Sequence, residues 1–271
     1  MNIENCEGRE FLKRLDNNSV DLILTDPPYV ISHETGMNTL RDAIDSGKNL
    51  EKTESEWLKY VEENDTAKTT PNAKENYMKY GTIYGTKYSV KTNYGDWDKN
   101  FTMDILDEFI KLYYQKLRDG GTCIIFFDLW KISYLKELME KNKFKQIRFI
   151  EWVKTNPQPI NSSRNYLTNC REIALLGVKK GKPTFNSEYD NGIYNTFPIQ
   201  GGKNRFHPTQ KNVNLFQTLI EKHSNKGDFV VDTFLGGGTT AVACANTERT
   251  FSGCELSKEY YDKILTQVKP T

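Results

Sequence analysis

With 37 Lys and Arg against 36 Asp and Glu in 271 residues, the chain carries a net charge of +1, so any nucleic-acid partner needs a local basic face rather than a global field. The length can bury a full core as one large domain or one domain with insertions, while 27% charged residues and a mean hydropathy of −0.68 imply long solvated loops. Five cysteines (Cys6, Cys123, Cys170, Cys244, Cys254) are odd in number and lack any C-x-x-C spacing, which reads as reduced thiols with no disulfide frame and no metal site. No apolar run approaches about 18 residues and no signal pattern opens the chain, so a cytoplasmic protein with no membrane association is expected.

Residues 2–19 read as a short strand followed by a helix whose apolar face is Phe11, Leu12 and Leu15. Asp21 to Thr25 is a short apolar run, the length of a strand buried on both faces of a parallel sheet. It ends in Asp26-Pro27-Pro28-Tyr29. Two successive prolines fix two φ angles and remove two donors, so the chain must leave the sheet extended, presenting a carboxylate, carbonyls and a ring at a strand's carboxyl end. An Asp-Pro turn with a core tyrosine is the plainer reading of that tetrapeptide taken alone.

Residues 32–100 break the rhythm. Rich in Lys, Glu, Asn, Thr and Tyr, this stretch is expected to be an inserted loop or lid without a core of its own, with one helix near Glu54 to Glu63. Its tyrosines (Tyr77, Tyr80, Tyr84, Tyr88, Tyr94) interleave with Lys79, Lys87 and Lys91, the composition of a nucleic-acid surface or of a solvated insertion anchored by aromatics. Order returns with a helix over 102–118, stopped by Gly120-Gly121, and strands are predicted at Thr122 to Phe127, Ile147 to Val153 and Glu172 to Val178, with a helix over Tyr134–Lys141 between.

Residues 157–206 hold Arg164, Arg171, Lys179, Lys180, Lys182, Lys203 and Arg205 between Tyr166, Phe185, Tyr189, Tyr194 and Phe197. Cations interleaved with rings suit phosphates and unstacked bases, so nucleic-acid contact is expected here, with an ordinary charged surface as the plainer reading. From 207 to 271 the pattern is compact: His207-Pro208-Thr209-Gln210-Lys211, a helix, strand Phe229 to Asp232, Gly236-Gly237-Gly238-Thr239-Thr240, a helix, strand Thr250 to Cys254, Glu255 and a closing helix over Lys258 to Val268. Strand, glycine turn, helix, strand and acid in that order is half-Rossmann logic: the glycines admit a close ligand, the helix N-terminus offers N–H groups, and the acid can hold ribose hydroxyls. With no GxxxxGK[ST] and no third glycine of GxGxxG, a nucleoside ligand fits better than a pyrophosphate.

DPPY, HPTQK, DTFLGGGTT and GCEL together resemble the S-adenosylmethionine-dependent DNA amino-methyltransferases, and their order matches the circularly permuted β group of that family. LRDGGTCIIFF resembles the family's fifth-strand motif, and IEWVKTNPQP the segment ahead of its recognition region. The resemblance implies a single methyltransferase domain over 1–271: an α/β, Rossmann-like, seven-stranded, mostly parallel sheet with helices on both faces, carrying 32–100 as an insertion, 157–206 as the target-recognition segment and 207–271 as the cofactor-binding unit. It further implies that Asp26, Pro27, Pro28 and Tyr29 are catalytic and that Asp26 also borders the cofactor. Asp232, Phe234, Gly236, Gly238, Thr239 and Thr240 would line the methionine and sugar of S-adenosylmethionine, with Glu255 on the ribose. His207, Pro208, Thr209, Gln210 and Lys211 would lie over the methionine end, Lys211 or Thr209 facing its carboxylate. Glu7 stands where the family's acidic loop carries Asp, and Asn212 and Thr233 replace two usual prolines.

The implied reaction moves a methyl group to an exocyclic amine of a flipped-out base, adenine N6 being favoured over cytosine N4 by the family's correlation of Asp with adenine. A glutamine-side-chain methyltransferase would begin its tetrapeptide with Asn, and a non-catalytic nucleic-acid-binding subunit would tend to lose the tetrapeptide or the turn. DNA contacts are expected at Lys87, Lys91, Trp152, Lys154, Arg164, Lys203 and Arg205. The implied partners are DNA and a cognate restriction endonuclease, for a monomer or homodimer.

Overall fold

The computed structural model describes residues 1–29, 49–83, 101–158, 169–199, 206–207 and 209–268. The chain falls into two compact units, residues 1–30 with 97–271, and residues 31–96. Among the described residues no helix is long and apolar enough to cross a membrane.

The larger unit is built on β1 (Asn2–Glu4), β2 (Val20–Thr25), β3 (Leu117–Phe127), β4 (Lys145–Gln158), β5 (Asn169–Val178), β6 (Ile193–Tyr194), β7 (Phe229–Asp232) and β8 (Thr250–Cys254). These form one sheet in the order β1-β8-β7-β2-β3-β5-β4-β6. All neighbours are parallel except across β5, which runs antiparallel to both β3 and β4. The seven strands expected from sequence are present; the eighth, β6, is only two residues long and pairs Glu151 and Trp152 with Ile193 and Tyr194.

Side-chain alternation along β2 divides the core. Leu22 and Leu24 pack with Ile124, Phe126, Leu215, Leu219, Ala241 and Ile264 on one face, whereas Ile23 packs with Ile125, Phe127, Phe11, Leu106, Phe109 and Leu135 on the other. The first face is covered by α7 (Val213–His223), α8 (Thr239–Asn246) and α9 (Lys258–Gln267); the second by α1 (Gly8–Arg14), α5 (Met103–Lys116) and α6 (Ile132–Lys141). The helix expected to run to the glycine pair stops earlier: Leu117 is already extended and pairs with Val20, and Gly120 (φ 78°) lies inside β3. Sheet pairing outcompetes one more helical turn there.

The smaller unit contains α2 (Glu54–Glu63), closed by a reciprocal Thr53–Glu56 capping box, then α3 (Thr66–Thr69) and α4 (Ala73–Tyr80), which ends at Gly81 (φ 68°). Contrary to the expectation from sequence, this stretch buries a core: Trp57, Ala67, Ala73 and Ile83, flanked by Tyr60, Val61, Tyr77 and Met78. Aromatic rings supply the apolar area that aliphatic residues usually supply, the Tyr60 and Tyr77 rings lying 4.5 Å apart. Tyr77 is thereby half-buried against this core, its ring stacked within the unit.

Candidate active site

β7 and β2 are central neighbours from which the winding departs in opposite directions, β7 to β8 and β2 to β3. The crevice beyond their carboxyl ends is the switch point at which such sheets bind ligands. The tetrapeptide leaves β2 there and the glycine turn leaves β7 there.

One side chain ties the two together. Asp232, at the end of β7, is buried; its Oδ1 accepts Thr25 Oγ1 (2.7 Å) and the Phe234 N–H (3.0 Å), and its Oδ2 accepts Thr240 Oγ1 (2.5 Å). Burial, only partly offset by these donors, pushes the Asp232 carboxyl up to about 6. Asp232 therefore organises the turn and its Thr240 neighbour from within. Thr233, in place of a proline, shares a 2.5 Å hydrogen bond with the buried Tyr113 hydroxyl, fastening α5 to the same turn. Phe234 packs against Phe109 and Phe101.

Gly236 (φ 51°) and Gly238 (φ 76°) adopt left-handed conformations that admit the tight turn into α8. The HPTQK segment lies over that turn: a Cβ on Gly237 would come within 2.7 Å of Gln210 Cγ, and one on Gly236 within 3.5 Å of the His207 ring. His207 stands edge-on to Tyr260 at 4.5 Å, Thr209 Oγ1 reaches His207 Nδ1 at 3.1 Å, and Thr239 Oγ1 donates to the Lys211 carbonyl. Glu255 lies at the end of β8, taking the Gly236 N–H on Oε2 (2.7 Å) and the Ser257 N–H on Oε1 (2.8 Å); burial raises its carboxyl to about 6. Both oxygens keep a lone pair for a further donor.

Asp26 keeps 18% of its side chain exposed. Its Oδ2 is 2.6 Å from Lys211 Nζ, whereas Oδ1 is enclosed and, like the Tyr29 hydroxyl and Gln210 Oε1, makes no hydrogen bond to the described residues. Burial and the nearby Glu172 charge raise the Asp26 carboxyl above its ordinary 3.8, against the pull of Lys211. The Tyr29 ring sits edge-on to Phe127 at 6.0 Å, and burial holds its hydroxyl well above the usual range.

Several of the expected site residues have partners within the protein. Lys211, expected at a cofactor carboxylate, is buried between two protein carboxylates, Asp26 and Glu172, the latter at 2.7 Å. Trp152, expected to contact a base, is 1% exposed and donates its Nε1–H to the Phe197 carbonyl. Lys154, expected among the DNA contacts, pairs with Glu172 at 2.6 Å and lies over the Trp152 ring. In the recognition segment Tyr194 is buried and bonded to Asp190, Lys179 is buried against Asn18 and the Leu117 carbonyl, and Arg171 pairs with Glu151. These residues lie on strands or against them, where alternation turns half of any mixed run inward. Glu7 caps α1, accepting the Arg9 and Glu10 N–H groups, beside a Gly8 whose Cβ would meet Phe109 and the Thr233 carbonyl. Lys87, Lys91, Arg164, Lys203, Arg205 and Pro208 lie outside the described residues.

Sequence reasoning missed Glu172, hidden as an acid inside a strand, and Trp130. The latter follows β3 at the carboxyl end of the sheet, three residues beyond the Phe127 that packs on Tyr29. It is 85% exposed on a loop fixed by its N–H bond to Asp128. A large ring held in solvent at a rim is the signal, and it exists only in the fold.

An open doubly wound sheet whose switch point carries both a glycine turn and an acid-Pro-Pro-aromatic corner defines a Rossmann-like methyltransferase. The chain belongs to the DNA methylase family, whose model matches residues 20–267. Among its relatives, the Type II methyltransferase M2.MboI of Moraxella bovis is 26% identical across 96% of this chain and 87% of its own length. M2.DpnII of Streptococcus pneumoniae, also a Type II methyltransferase, is 32% identical across 63% of this chain and 70% of its own. The crystal structure of the M1.HpyAVI–SAM complex superposes with a TM-score of 0.61 at 28% identity, covering 98% of each chain.

Proposed function

We propose that this chain transfers a methyl group from S-adenosylmethionine to N6 of an adenine extruded from DNA. The observation that carries the reading is the enclosed Asp26 carboxylate, one strand away from the glycine turn, with Lys211 on Oδ2 and no more than a loose contact with the Tyr29 hydroxyl beyond it. An enclosed carboxylate oxygen so poorly supplied with donors is costly unless a ligand supplies one, and an exocyclic amine supplies two N–H groups.

The residues fit the cofactor. The glycine turn with Gln210 and His207 over it forms a cradle; the start of α8 offers N–H groups; Glu255 retains lone pairs for ribose hydroxyls. S-adenosylmethionine, when bound, supplies an electrophilic methyl on a sulfonium. Asp26 and the Pro27 carbonyl accept the amine's two N–H bonds, which draws the conjugated nitrogen toward tetrahedral geometry and aims its lone pair. Transfer would form the N–C bond as the methyl–sulfur bond of the sulfonium breaks; the Asp26 carboxylate would stabilise the positive charge on the nitrogen and accept the N–H proton that it then loses. Tyr29 stacks on the base, and orientation in a dry site supplies most of the rate. The base must leave the duplex to reach this corner.

DNA contact rests on Trp130 at the rim, whose ring can stack on a base or fill the gap an extruded base leaves, and on the residues of 32–100 and 157–206, which we read as sharing recognition. Since the relatives named above are Type II methyltransferases, we extend the reading to a cognate endonuclease with the same recognition sequence, acting in the cytoplasm. Incubating the purified protein with S-adenosylmethionine and plasmid, then identifying nucleosides by mass spectrometry, tests the reading. N6-methyldeoxyadenosine is expected; N4-methyldeoxycytidine would move the target to cytosine, and no methylated nucleoside would point to a binding-only subunit.

A further inference from the structure

Four charges, Lys211 buried and the other three half-buried, alternate in a row behind the tetrapeptide. Lys154 Nζ lies 2.6 Å from Glu172 Oε1, Glu172 Oε2 lies 2.7 Å from Lys211 Nζ, and Lys211 Nζ lies 2.6 Å from Asp26 Oδ2. β5 runs antiparallel to β3, so its first residues lie at the carboxyl end of the sheet, where Glu172 meets the corner formed by Asp26. We propose that Glu172, backed by Lys154, positions Asp26 through Lys211 and cancels the ammonium charge, so that the carboxylate meets the substrate amine with its negative charge undiminished.

The proposal rests on the methyl-transfer reading and deepens it. Lys211 alone would anchor Asp26 but would set a full positive charge beside a nitrogen that turns positive as it is methylated. Glu172 on the opposite side of the same Nζ removes that repulsion, and Lys154 in turn satisfies Glu172. The row sums to zero charge, which suits its burial. The faces of Tyr29 and Phe126 lie 5.7 and 5.6 Å from Lys211 Nζ, and that of Trp152 lies 5.5 Å from Lys154 Nζ, so both ammonium groups are held by rings as well as by carboxylates. Because Lys211 takes Oδ2, Oδ1 is the oxygen left for the amine.

The groups acting on Asp26 are Lys211, Glu172 and Tyr29, with Asp232 coupled to it from β7 and Lys154 behind Glu172. The Glu172 anion makes Asp26 hold its proton more tightly, so Glu172→Gln makes Asp26 more acidic and a weaker partner for a developing cation. The expected result is a kcat lowered about 10-fold or more with little change in KM, and an acid limb displaced downward by about one pH unit. Glu172→Asp restores most of both. Lys154→Met removes a distant cation and moves the limb upward, which also decides the matter if Glu172→Gln does not fold. Titration of the Asp26 carboxyl, followed by carbon-13 NMR against an Asp26→Asn control, shows the same displacements without turnover, so a wild type inactive on DNA would sink the methyl-transfer reading while leaving the charge row testable. Folded variants with a wild-type Asp26 titration, or losing stability alone, would overturn the proposal.

Discussion

Thr25 Oγ1 donates to Asp232 Oδ1 at 2.7 Å, joining the last residue of β2 to the last residue of β7 across 207 positions of sequence. This bond fixes the tetrapeptide, whose first residue follows Thr25, relative to the glycine turn, which begins after Asp232. Thr25→Val keeps the shape and removes the donor, leaving a buried carboxylate oxygen short of a partner. A loss of about 2 kcal/mol in denaturant unfolding is expected, together with a weaker affinity for S-adenosylmethionine by calorimetry. Unchanged values in both measurements would mean that the strand ends are held by the sheet alone.

Lys211→Met leaves Asp26 and Glu172 facing each other in a buried space with no cation between them. One carboxyl must then take a proton, so methyl transfer should be lost at neutral pH. Breaking a buried pair also costs about 3–5 kcal/mol of stability. Burial alone would lower the lysine, but the two carboxylates outweigh it and hold Lys211 well above the ordinary range, so it stays charged across any usable pH. A Lys211→Met protein with normal turnover would remove the ammonium from the account.

On the proposed reading, Asp26 must be ionised to accept the amine and so sets the acid limb of methyl transfer. Its carboxyl is raised by burial, so the anion is lost on acidification at a higher pH than an exposed aspartate would show. Single-turnover rates measured against pH, with S-adenosylmethionine held at saturation, should therefore fall on acidification before an ordinary aspartate would lose its charge. A rate that follows the titration of an ordinary aspartate would contradict this.

Much of this architecture is written locally. The apolar alternation of β2, the double proline, the glycine turn and the acid after β8 each encode their own conformation, so both halves of the site are legible as short patterns. Their partners are not. Glu172 reads as an ordinary strand residue until the antiparallel β5 delivers it to Lys211, and Lys211 reads as a free cation until two carboxylates enclose it. Trp152 and Lys154, just ahead of the stretch that looks suited to nucleic acid, are expected among the DNA contacts, yet Trp152 lies in the core and Lys154 beside it is tied to Glu172. Residues 32–100 look too poor in aliphatics to bury a core, because the core within 49–83 centres on Trp57, with the Tyr60 and Tyr77 rings packed against it.

Trp130 offers a cleaner probe of DNA contact than any cation in the chain. Its ring is exposed and supports nothing in the core, so Trp130→Ala should change stability by no more than about 0.5 kcal/mol. Loss of one stacked base is worth about 1–3 kcal/mol, so DNA affinity should fall about 5-fold or more while cofactor affinity is unaffected. Equal DNA affinity in the variant would remove the ring from the interface.

The central claim is that Asp26 acts on the substrate amine beside a cofactor held by the glycine turn. Asp26→Ala, assayed for S-adenosylmethionine binding by calorimetry and for methyl transfer to DNA by nucleoside mass spectrometry, separates the two halves of that claim. The account predicts measurable binding with transfer lowered by at least about 100-fold. Near-normal transfer in that variant would contradict it.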